Sequence, residues 1–158
     1  MLTVRPATVD DAQTILDFIV ELAVYEKARH EVVTDVVGVR ESLFGAHAKA
    51  KALMCCMGHE PVGYAVYFYS YSTWLGRNGL YLEDVYVSPP HRGKGAGKAM
   101  LRYLAQIAVQ EKCGRLEWSV LDWNTPAIEF YDALGALPQS EWIRYRLTGE
   151  ALRALAGS

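Results

Sequence analysis

Long apolar runs are missing from this sequence: no stretch of about 20 residues is apolar enough to cross a membrane. The first residues, MLTVRPATVDD, carry an arginine and acids where a secretory signal peptide needs its apolar segment. An excess of positive charge is missing too, because 16 lysines and arginines stand against 18 acids and give a formal net charge of -2. Nucleic-acid-binding domains are usually basic. We therefore expect a cytoplasmic protein that binds neither membranes nor nucleic acid.

Cysteine is scarce, and histidine is scattered. The three cysteines, Cys55, Cys56 and Cys113, are odd in number and lack the CxxC spacing of zinc sites and redox motifs. None of the four histidines lies four residues from another, the spacing that places two metal ligands on one helix face. The sequence therefore predicts reduced, partly buried thiols, no disulfide framework and no bound metal.

Alternating and helical patterns of apolar residues follow one another without a repeat, a low-complexity tract or a linker, so we expect one domain over residues 1–158. Predicted strands occupy 2–5, 50–57, 62–71, 80–87, 115–121 and 141–147, with turns at 58–61 and 76–79. Predicted helices begin at Asp10 or Asp11, run from a Thr34 cap to Phe44, and cover 95–112 and 125–134. Hairpin-linked strands followed by strand–helix–strand units predict an α/β fold, with a sheet of mixed direction and helices on its faces.

Residues 91–98, HRGKGAGK, join a predicted strand to a predicted helix. Glycines alternate with cations in this segment, and glycine lets a backbone approach a ligand closely. The first amides of a helix have no partner within the helix, so a strand–glycine–helix junction is suited to bind an anion such as pyrophosphate. From these eight residues alone, a solvated basic turn that merely enters the helix is an equal alternative.

Two common phosphate-binding motifs do not fit the segment. A P-loop requires GxxxxGK followed by serine or threonine, whereas Gly97 and Lys98 are followed by Ala99. A dinucleotide-binding fingerprint requires GxGxxG, and Gly93-x-Gly95 continues to Lys98. The sequence therefore disfavours both hydrolysis of a magnesium-bound nucleotide and binding of a dinucleotide.

The segment Arg92-Gly93-Lys94-Gly95-Ala96-Gly97 resembles the R/Q-x-x-G-x-G/A loop of the GCN5-related N-acetyltransferases (GNAT superfamily), in the same frame of strand before and helix after. A later segment, WNTPAIEFYDALGA at 123–136, resembles a second motif of the family. RPAT at 5–8, ELAVYE at 21–26 and TWLGRNGLYLEDVYV at 73–87 are similar to the spermidine/spermine and thialysine N-acetyltransferase branch. The resemblance extends over nearly the whole chain.

This resemblance implies a GNAT-type sheet, mostly antiparallel, whose central parallel strands splay apart, with helices on both faces. It also implies acetyl-CoA as co-substrate and a homodimer that pairs or exchanges its C-terminal strands. The segment 141–147, EWIRYRL, alternates apolar and charged residues as an exposed edge strand does. The residues implied in acetyl-CoA binding are Val85, Tyr86, Val87, Arg92, Gly93, Lys94, Gly95, Ala96, Gly97, Lys98, Asn124 and Tyr131.

The implied reaction needs a neutral amine, and an alkylammonium has a pKa of roughly 10. Glu83 is the candidate base, acting directly or through a water, and Asp84 is expected on the opposite face of the sheet. The resemblance implies Tyr131 as the acid that protonates the departing thiolate, and Val85 as the residue whose backbone amide binds the oxyanion.

Acidic and aromatic residues near the first helix and the central strands suit a cationic amine through ion pairs and cation–π contacts. The candidate substrate-binding residues are Tyr25, Glu26, Glu31, Trp74, Glu83 and Asp84. A solvated helix end with one core tryptophan is the equal alternative.

The leading hypothesis for function is an acetyl-CoA-dependent N-acetyltransferase that modifies a polyamine, a diamine or a thialysine-like amino acid by direct attack in a ternary complex. One alternative is a protein or peptide N-acetyltransferase, which would use the same chemistry with an open peptide groove. The other is a non-catalytic acyl-CoA sensor, which would need neither Glu83 nor Tyr131.

Overall fold

Five strands form one sheet in the computed structural model, which describes residues 1–157. The strands are β1 (Leu2–Pro6), β2 (Ala50–Met57), β3 (Glu60–Ser72), β4 (Arg77–Val87) and β5 (Leu116–Trp118), and they lie in chain order across the sheet. Short turns join β2, β3 and β4, so these strands pair antiparallel, as β1 does with β2. Only β4 and β5 pair in parallel. The predicted mixed, mostly antiparallel α/β fold is confirmed.

Helices cover both faces of the sheet, as predicted. The helices that pack on the sheet are α1 (Ala12–Tyr25), α2 (Val36–Phe44) and α3 (Ala96–Gln110). Two more helices, α4 (Thr125–Ala133) and α5 (Gly149–Ala156), follow later in the chain. On one face, Phe18 of α1 and Val39 of α2 belong to the same buried cluster as Tyr64 of β3. On the other face, a Cβ atom added to Gly63 would meet the Met100 methyl group of α3 at 3.2 Å. Neighbouring residues of β3 therefore serve two separate helix layers.

The chain divides into two compact units, Met1–Leu121 and a C-terminal unit that begins at Asp122. The first unit holds the sheet with α1, α2 and α3, and the second holds α4 and α5. The expectation of a single domain over residues 1–158 stays a prediction beside this division. None of the helices within residues 1–157 is both long and apolar enough to span a membrane.

The three cysteines form no disulfide within residues 1–157. Cys55 and Cys56 are free and buried, and Cys113 is free and partly buried. In the part of the chain that the structure describes, no group of three or more His, Cys, Asp or Glu side chains is arranged to hold a metal ion.

The second helix is capped one residue later than predicted. The Asp35 carboxylate, rather than the Thr34 hydroxyl, accepts a hydrogen bond from the Gly38 amide, at 2.8 Å. Both side-chain types can act as an N-cap, and the local backbone decides which one reaches the amide three residues ahead. The predicted end of the helix at Phe44 is confirmed.

The strand ends and the C-terminal segment differ most from the prediction. The turn predicted at 76–79 is wrong, because pairing of β3 with β4 continues to Ser72 and Arg77. β5 is shorter than the predicted 115–121 and lies at the edge of the sheet instead of its centre. The predicted strand at 141–147 is not formed, and α5 follows this segment. An alternating pattern makes a strand only when another strand is available to pair with it, which is a matter of tertiary structure.

An ion pair fixes the start of α1. The Arg5 guanidinium donates to both oxygens of the Asp11 carboxylate, at 2.8 and 2.9 Å, and the Thr8 amide donates to the same carboxylate at 2.7 Å. The hydrogen bonds from Arg5 hold the pKa of the Asp11 carboxyl below its usual value, against the opposing effect of burial. The anchored helix carries Tyr25 and leads directly into Glu26.

Replacing Asp11 by asparagine is expected to lower the free energy of unfolding by about 2 kcal/mol at pH 7, because the charged hydrogen bonds to Arg5 are lost. The folded-state pKa of Asp11 is lowered, so this stabilisation is present above the unfolded-state pKa of about 3.9 and is lost as the pH falls through the folded-state value. Urea unfolding of the wild type and of Asp11→Asn at pH 7 and at about pH 3 measures how the stability difference between them depends on pH. A stability difference of equal size at both pH values would contradict it.

Candidate active site

The pairing of β3 with β4 slips at Glu83. Val66 is paired with Asp84, but the next residue of β3, Tyr67, is paired with Leu82, so Glu83 is an extra residue on β4. Such a β-bulge bends the strand and re-aims its side chains. The regular alternation that predicted Glu83 and Asp84 on opposite faces therefore does not hold here. Glu83 is exposed, and Asp84 is partly buried.

The bulge also reverses which backbone groups of β4 point away from β3. Before the bulge, the Leu80 amide donates to the Arg115 carbonyl, on the β5 side, at 2.9 Å. After it, the Ser88 amide donates to the Val62 carbonyl of β3 at 2.8 Å. Backbone groups alternate along a strand, so the extra residue turns the Val85 amide to the β5 side. The pairing with β5 ends before the bulge, so within residues 1–157 no strand pairs with β4 there.

Two carboxylates and a tyrosine lie together beside the bulge. The Tyr64 hydroxyl, on a fully buried side chain, donates to the Asp84 carboxylate at 2.9 Å. Burial raises the pKa of Asp84, the bond from Tyr64 opposes this shift, and the charge of Glu83 adds to it. The pKa of Glu26 is raised as well, first by burial and then by the charge of Asp84. A bound cation would lower the raised pKa values of both Asp84 and Glu26, so this acid pair suits a cationic ligand.

Replacing Asp84 by asparagine is expected to raise the free energy of unfolding by about 1 kcal/mol at pH 7. Because the folded-state pKa of Asp84 is raised, the folded protein loses stability as the pH rises from the unfolded-state value of about 3.9 to the raised value. Asparagine keeps an oxygen that accepts from Tyr64 and removes the buried charge. Urea unfolding should show a larger gain at pH 7 than at about pH 4. A variant less stable than the wild type at pH 7 would contradict this.

A second set of contacts joins α1, β4 and the segment after β4. The Tyr86 hydroxyl donates to the Glu21 carboxylate of α1 at 2.9 Å. The Arg92 guanidinium lies over two rings, 5.4 Å from the centre of the Tyr25 ring and 5.5 Å from that of Tyr86. Arg92 Nε also donates to the Val87 carbonyl at 2.9 Å. The side chain that was expected at the anion loop is therefore held on α1 and β4.

The glycine segment enters α3 through left-handed backbone. Gly93 has a φ of 77° and Gly95 a φ of 88°, which glycine adopts without strain. The first helical hydrogen bond runs from the Ala99 amide to the Gly95 carbonyl at 2.9 Å, so the amides of 96–98 precede it. These amides and the lysines beside them form the donor set that was predicted for an anion.

Some predicted cofactor residues have partners within the chain. The Tyr86 carbonyl oxygen faces β3, where a Cβ atom added to Gly63 would lie 2.5 Å from it. The Val87 carbonyl is occupied by Arg92, and the Arg92 amide donates to the Pro89 carbonyl at 3.3 Å. In the segment that follows β4, the backbone donors that suit an anion therefore begin after Arg92.

Of the other residues predicted to bind substrate, Trp74 is separated from this cluster along β4, and Glu31 lies in an exposed pair with a histidine. Trp74 lies in the turn between β3 and β4, and β4 runs on from Arg77 to Glu83, roughly 20 Å of extended strand. The Glu31 carboxylate is 3.5 Å from the His30 imidazole, and both side chains are well exposed. The substrate candidates that the structure does bring together come from the end of α1 and from the bulge.

Asn124 and Tyr131 lie in the C-terminal unit. Asn124 is the N-cap of α4, and its Oδ1 accepts a hydrogen bond from the Ala127 amide at 3.4 Å. Tyr131 packs beside Phe130 on α4, with ring centres 5.5 Å apart. This local structure explains part of the WNTPAIEFY pattern as a capped helix. The roles predicted for Asn124 and Tyr131 in binding and catalysis stay predictions.

Sequence analysis does not identify Tyr64 or Glu21 as site residues. Tyr64 lies in the aromatic run 62–71, which predicts only a strand. Its link to Asp84 depends on a bulge that shifts the strand register by one residue. The available signal is weak, because β3 carries four tyrosines and β4 carries two adjacent acids, and the sequence does not say which tyrosine meets which acid.

Residues 17–136 match the acetyltransferase (GNAT) family. The chain belongs to the GNAT family. It is 41% identical to a thialysine N-epsilon-acetyltransferase of Bos taurus, over 98% of this chain and 96% of that protein. It is 44% identical to an L-ornithine N5-acetyltransferase of Arabidopsis thaliana, over 59% of this chain and 41% of that protein. The predicted resemblance and the assignment as an N-acetyltransferase are confirmed.

A solved structure agrees with the fold. An integron cassette protein from the mobile metagenome of V. cholerae superposes on this chain with a TM-score of 0.83 at 25% identity, over 99% of this chain and 98% of that one. The sheet with its parallel pair is therefore an arrangement already seen in a solved protein.

Proposed function

We propose that this GNAT enzyme transfers an acetyl group from acetyl-CoA to the primary amine of a small cationic substrate, by direct attack in a ternary complex. The observation that carries the proposal is the convergence at one bulge of β4. Glu83 is the bulged residue, the acids Asp84 and Glu26 lie beside it, and the Val85 amide faces the side that β5 leaves unpaired. A base, a cation site and an oxyanion donor are thus provided at one place.

The glycine segment suits the pyrophosphate of acetyl-CoA. The amides of 96–98 precede the first hydrogen bond of α3, and Lys94 and Lys98 add positive charge. Cβ atoms at Gly93 and Gly95 would point into open space, with no atom of the described chain beyond the adjacent residues within 4 Å, so there is room for a ligand at this backbone. When bound, acetyl-CoA supplies the thioester carbonyl that the amine attacks.

The proposed chemistry of the chain is three proton transfers and one hydrogen bond. The nitrogen loses one proton before it attacks the thioester carbon and a second one as the C–S bond breaks and the amide forms. This second proton returns to the oxygen of Tyr131, which gives its own proton to the thiolate. A carboxylate oxygen of Glu83 takes the proton of the ammonium group, directly or through a water, so that the amine becomes nucleophilic. The Val85 amide donates to the carbonyl oxygen as negative charge develops on it. The Tyr131 hydroxyl protonates the departing thiolate, an assignment supported by the similarity of the WNTPAIEFY segment to the family motif.

The acid pair supports a substrate that carries a second cation. The Asp84 carboxylate accepts a hydrogen bond from Tyr64, and its charge raises the pKa of Glu26, so a positively charged partner would stabilise both ionised acids. The bovine and plant relatives are named for thialysine and L-ornithine, both small amino acids with a side-chain amine. We therefore propose a diamine or a diamino acid in preference to a simple monoamine.

A thiol-release assay with acetyl-CoA tests this function. The panel contains thialysine, ornithine, lysine, spermidine and a basic peptide, together with 1,3-diaminopropane and its matched control propylamine, which lacks the second amine. Preference for 1,3-diaminopropane over propylamine is expected, by about tenfold or more in kcat/KM. Equal rates for these two would contradict the cation site. Turnover of the peptide alone would favour a protein substrate, and acetyl-CoA binding without turnover would favour a sensor.

We also propose a homodimer built with the C-terminal segment. Leu137, Ile143 and Tyr145 are exposed apolar side chains on a stretch without helix or strand, and the segment has the alternating pattern of an edge strand. Pairing with a second copy would give this pattern the partner that it needs. Light scattering at micromolar concentration should report twice the chain mass of 17.6 kDa, and a monomer would refute the proposal.

A further inference from the structure

Arg92 opens the glycine segment, where a ligand of the pyrophosphate is expected, yet its exposed side chain contacts other groups of the protein. The guanidinium lies over the rings of Tyr25 and Tyr86, at 5.4 and 5.5 Å, and its Nε donates to the Val87 carbonyl at 2.9 Å. We propose that Arg92 is a positioning residue. Its contacts connect the end of α1 to β4 and to residues 93–98, the proposed anion-binding segment. This inference rests on the proposed function, because Arg92 would align the binding sites of the amine and of acetyl-CoA, the two substrates of that reaction.

The geometry of the contact favours a structural role for the Arg92 side chain over a role as a phosphate ligand. A guanidinium is planar and weakly hydrated, so it stacks on aromatic faces better than an ammonium does. Both rings belong to the scaffold: Tyr86 is buried and donates to Glu21 of α1, and Tyr25 is the last residue of α1. Arg92 therefore contacts two elements that are already joined to each other.

The contacts of Arg92 connect the two halves of the candidate site. Glu26, one member of the acid pair, follows Tyr25 directly, so the contact of Arg92 with Tyr25 holds this acid near the bulge. Gly93, with its left-handed backbone, follows Arg92 directly on the other side. The contacts of Arg92 therefore set the position of the anion-binding segment relative to the proposed amine site.

The first test compares two acyl donors. Arg92→Gln is assayed with acetyl-CoA and with S-acetyl-pantetheine, which keeps the thioester and lacks the pyrophosphate. We expect kcat/KM for the amine to fall about tenfold with both donors, mainly through amine KM, because the contacts of Arg92 act on the amine side. Arg92→Lys keeps the charge but loses the planar stack and the Nε bond, so it should restore only about threefold of this loss.

Lys94→Gln is the matched control, because it removes one positive charge from the same segment. If Lys94 serves the pyrophosphate, its loss should appear with acetyl-CoA and disappear with S-acetyl-pantetheine. A loss in Arg92→Gln that also disappears with S-acetyl-pantetheine would overturn the proposal and make Arg92 a phosphate ligand. An unchanged amine KM in Arg92→Gln would overturn it as well.

A second measurement separates this inference from the proposed function. The urea unfolding midpoints of Arg92→Gln, Tyr25→Leu and the double variant give the coupling between the two side chains without any turnover. We expect the double variant to be shifted by less than the sum of the single shifts. If the midpoint shifts of the two single variants add up to that of the double variant, Arg92 and Tyr25 are not coupled and the proposal is wrong. If the wild type turns over no amine, the proposed function fails alone, and the unfolding cycle still decides whether Arg92 and Tyr25 are coupled.

Discussion

Replacing Glu83 by glutamine is expected to lower kcat for the amine about a thousandfold while amine KM changes little. Glutamine keeps the size of the side chain at the bulge and loses the ability to take a proton, and general-base catalysis contributes about 10²- to 10⁴-fold. Glu83 is the extra residue of the bulge and is exposed, so its carboxylate reaches the amine or a water without disturbing the paired strands. Steady-state thiol release at saturating acetyl-CoA measures the effect.

Asp84→Asn is the matched comparison, since it makes the same chemical change one residue away. Asp84 is held by Tyr64 and lies near Glu26, so its loss should raise amine KM for dications and leave kcat closer to the wild-type value. A large loss of kcat in Asp84→Asn together with a small one in Glu83→Gln would assign the base to Asp84 instead. The expected stability gain of Asp84→Asn makes loss of folding an unsuitable explanation for its lower activity.

Replacing Gly95 by valine is expected to raise the KM for acetyl-CoA a hundredfold or more. Gly95 is the residue before α3 and has a φ of 88°, a region that a β-branched residue enters only with strain of about 2 kcal/mol. Relief of that strain would turn the amides of 96–98 away from their common direction, and the anion site would be lost. Isothermal titration with CoA measures the affinity directly, without the chemical step.

Gly58→Val provides the control for this prediction. Gly58 lies in the turn between β2 and β3 and also has a positive φ, 61°, so valine there carries a similar strain away from the anion-binding segment. Both variants should lose comparable stability in urea, and only Gly95→Val should lose affinity for CoA. Equal losses of CoA affinity in the two variants would show that general destabilisation, and not the anion site, is responsible.

Several elements were predictable because they depend on nearest neighbours along the chain. The strand at 50–57 and the helix ending at Phe44 have the periodicity and the stop signals of their type. The structure has the strand at those bounds and ends the helix at Phe44. The glycine segment is equally local, since a left-handed residue before a helix start needs glycine whatever packs around it. In these cases a few adjacent residues carry the whole physical requirement.

Other features depend on contacts between distant residues, and here prediction was incomplete or wrong. The segment 141–147 has a strand pattern but no strand, because a pattern cannot supply its own hydrogen-bonding partner. Trp74 looks like a pocket residue in sequence, but the length of β4 separates it from the bulge. Tyr64 looks like an ordinary strand aromatic, and only the register of β3 on β4 places it on Asp84.

The sequence by itself determined the family, the mixed α/β class and the glycine segment that enters α3, since these rest on local periodicity and on motifs read within a few residues. Only the tertiary structure decided that Glu83 lies on a bulge, that this bulge turns the Val85 amide to the unpaired side, and that Arg92 lies over two tyrosine rings. The physical reason is that a strand register and a cation–π contact are set by the balance of packing across the whole sheet, which no short stretch of chain contains.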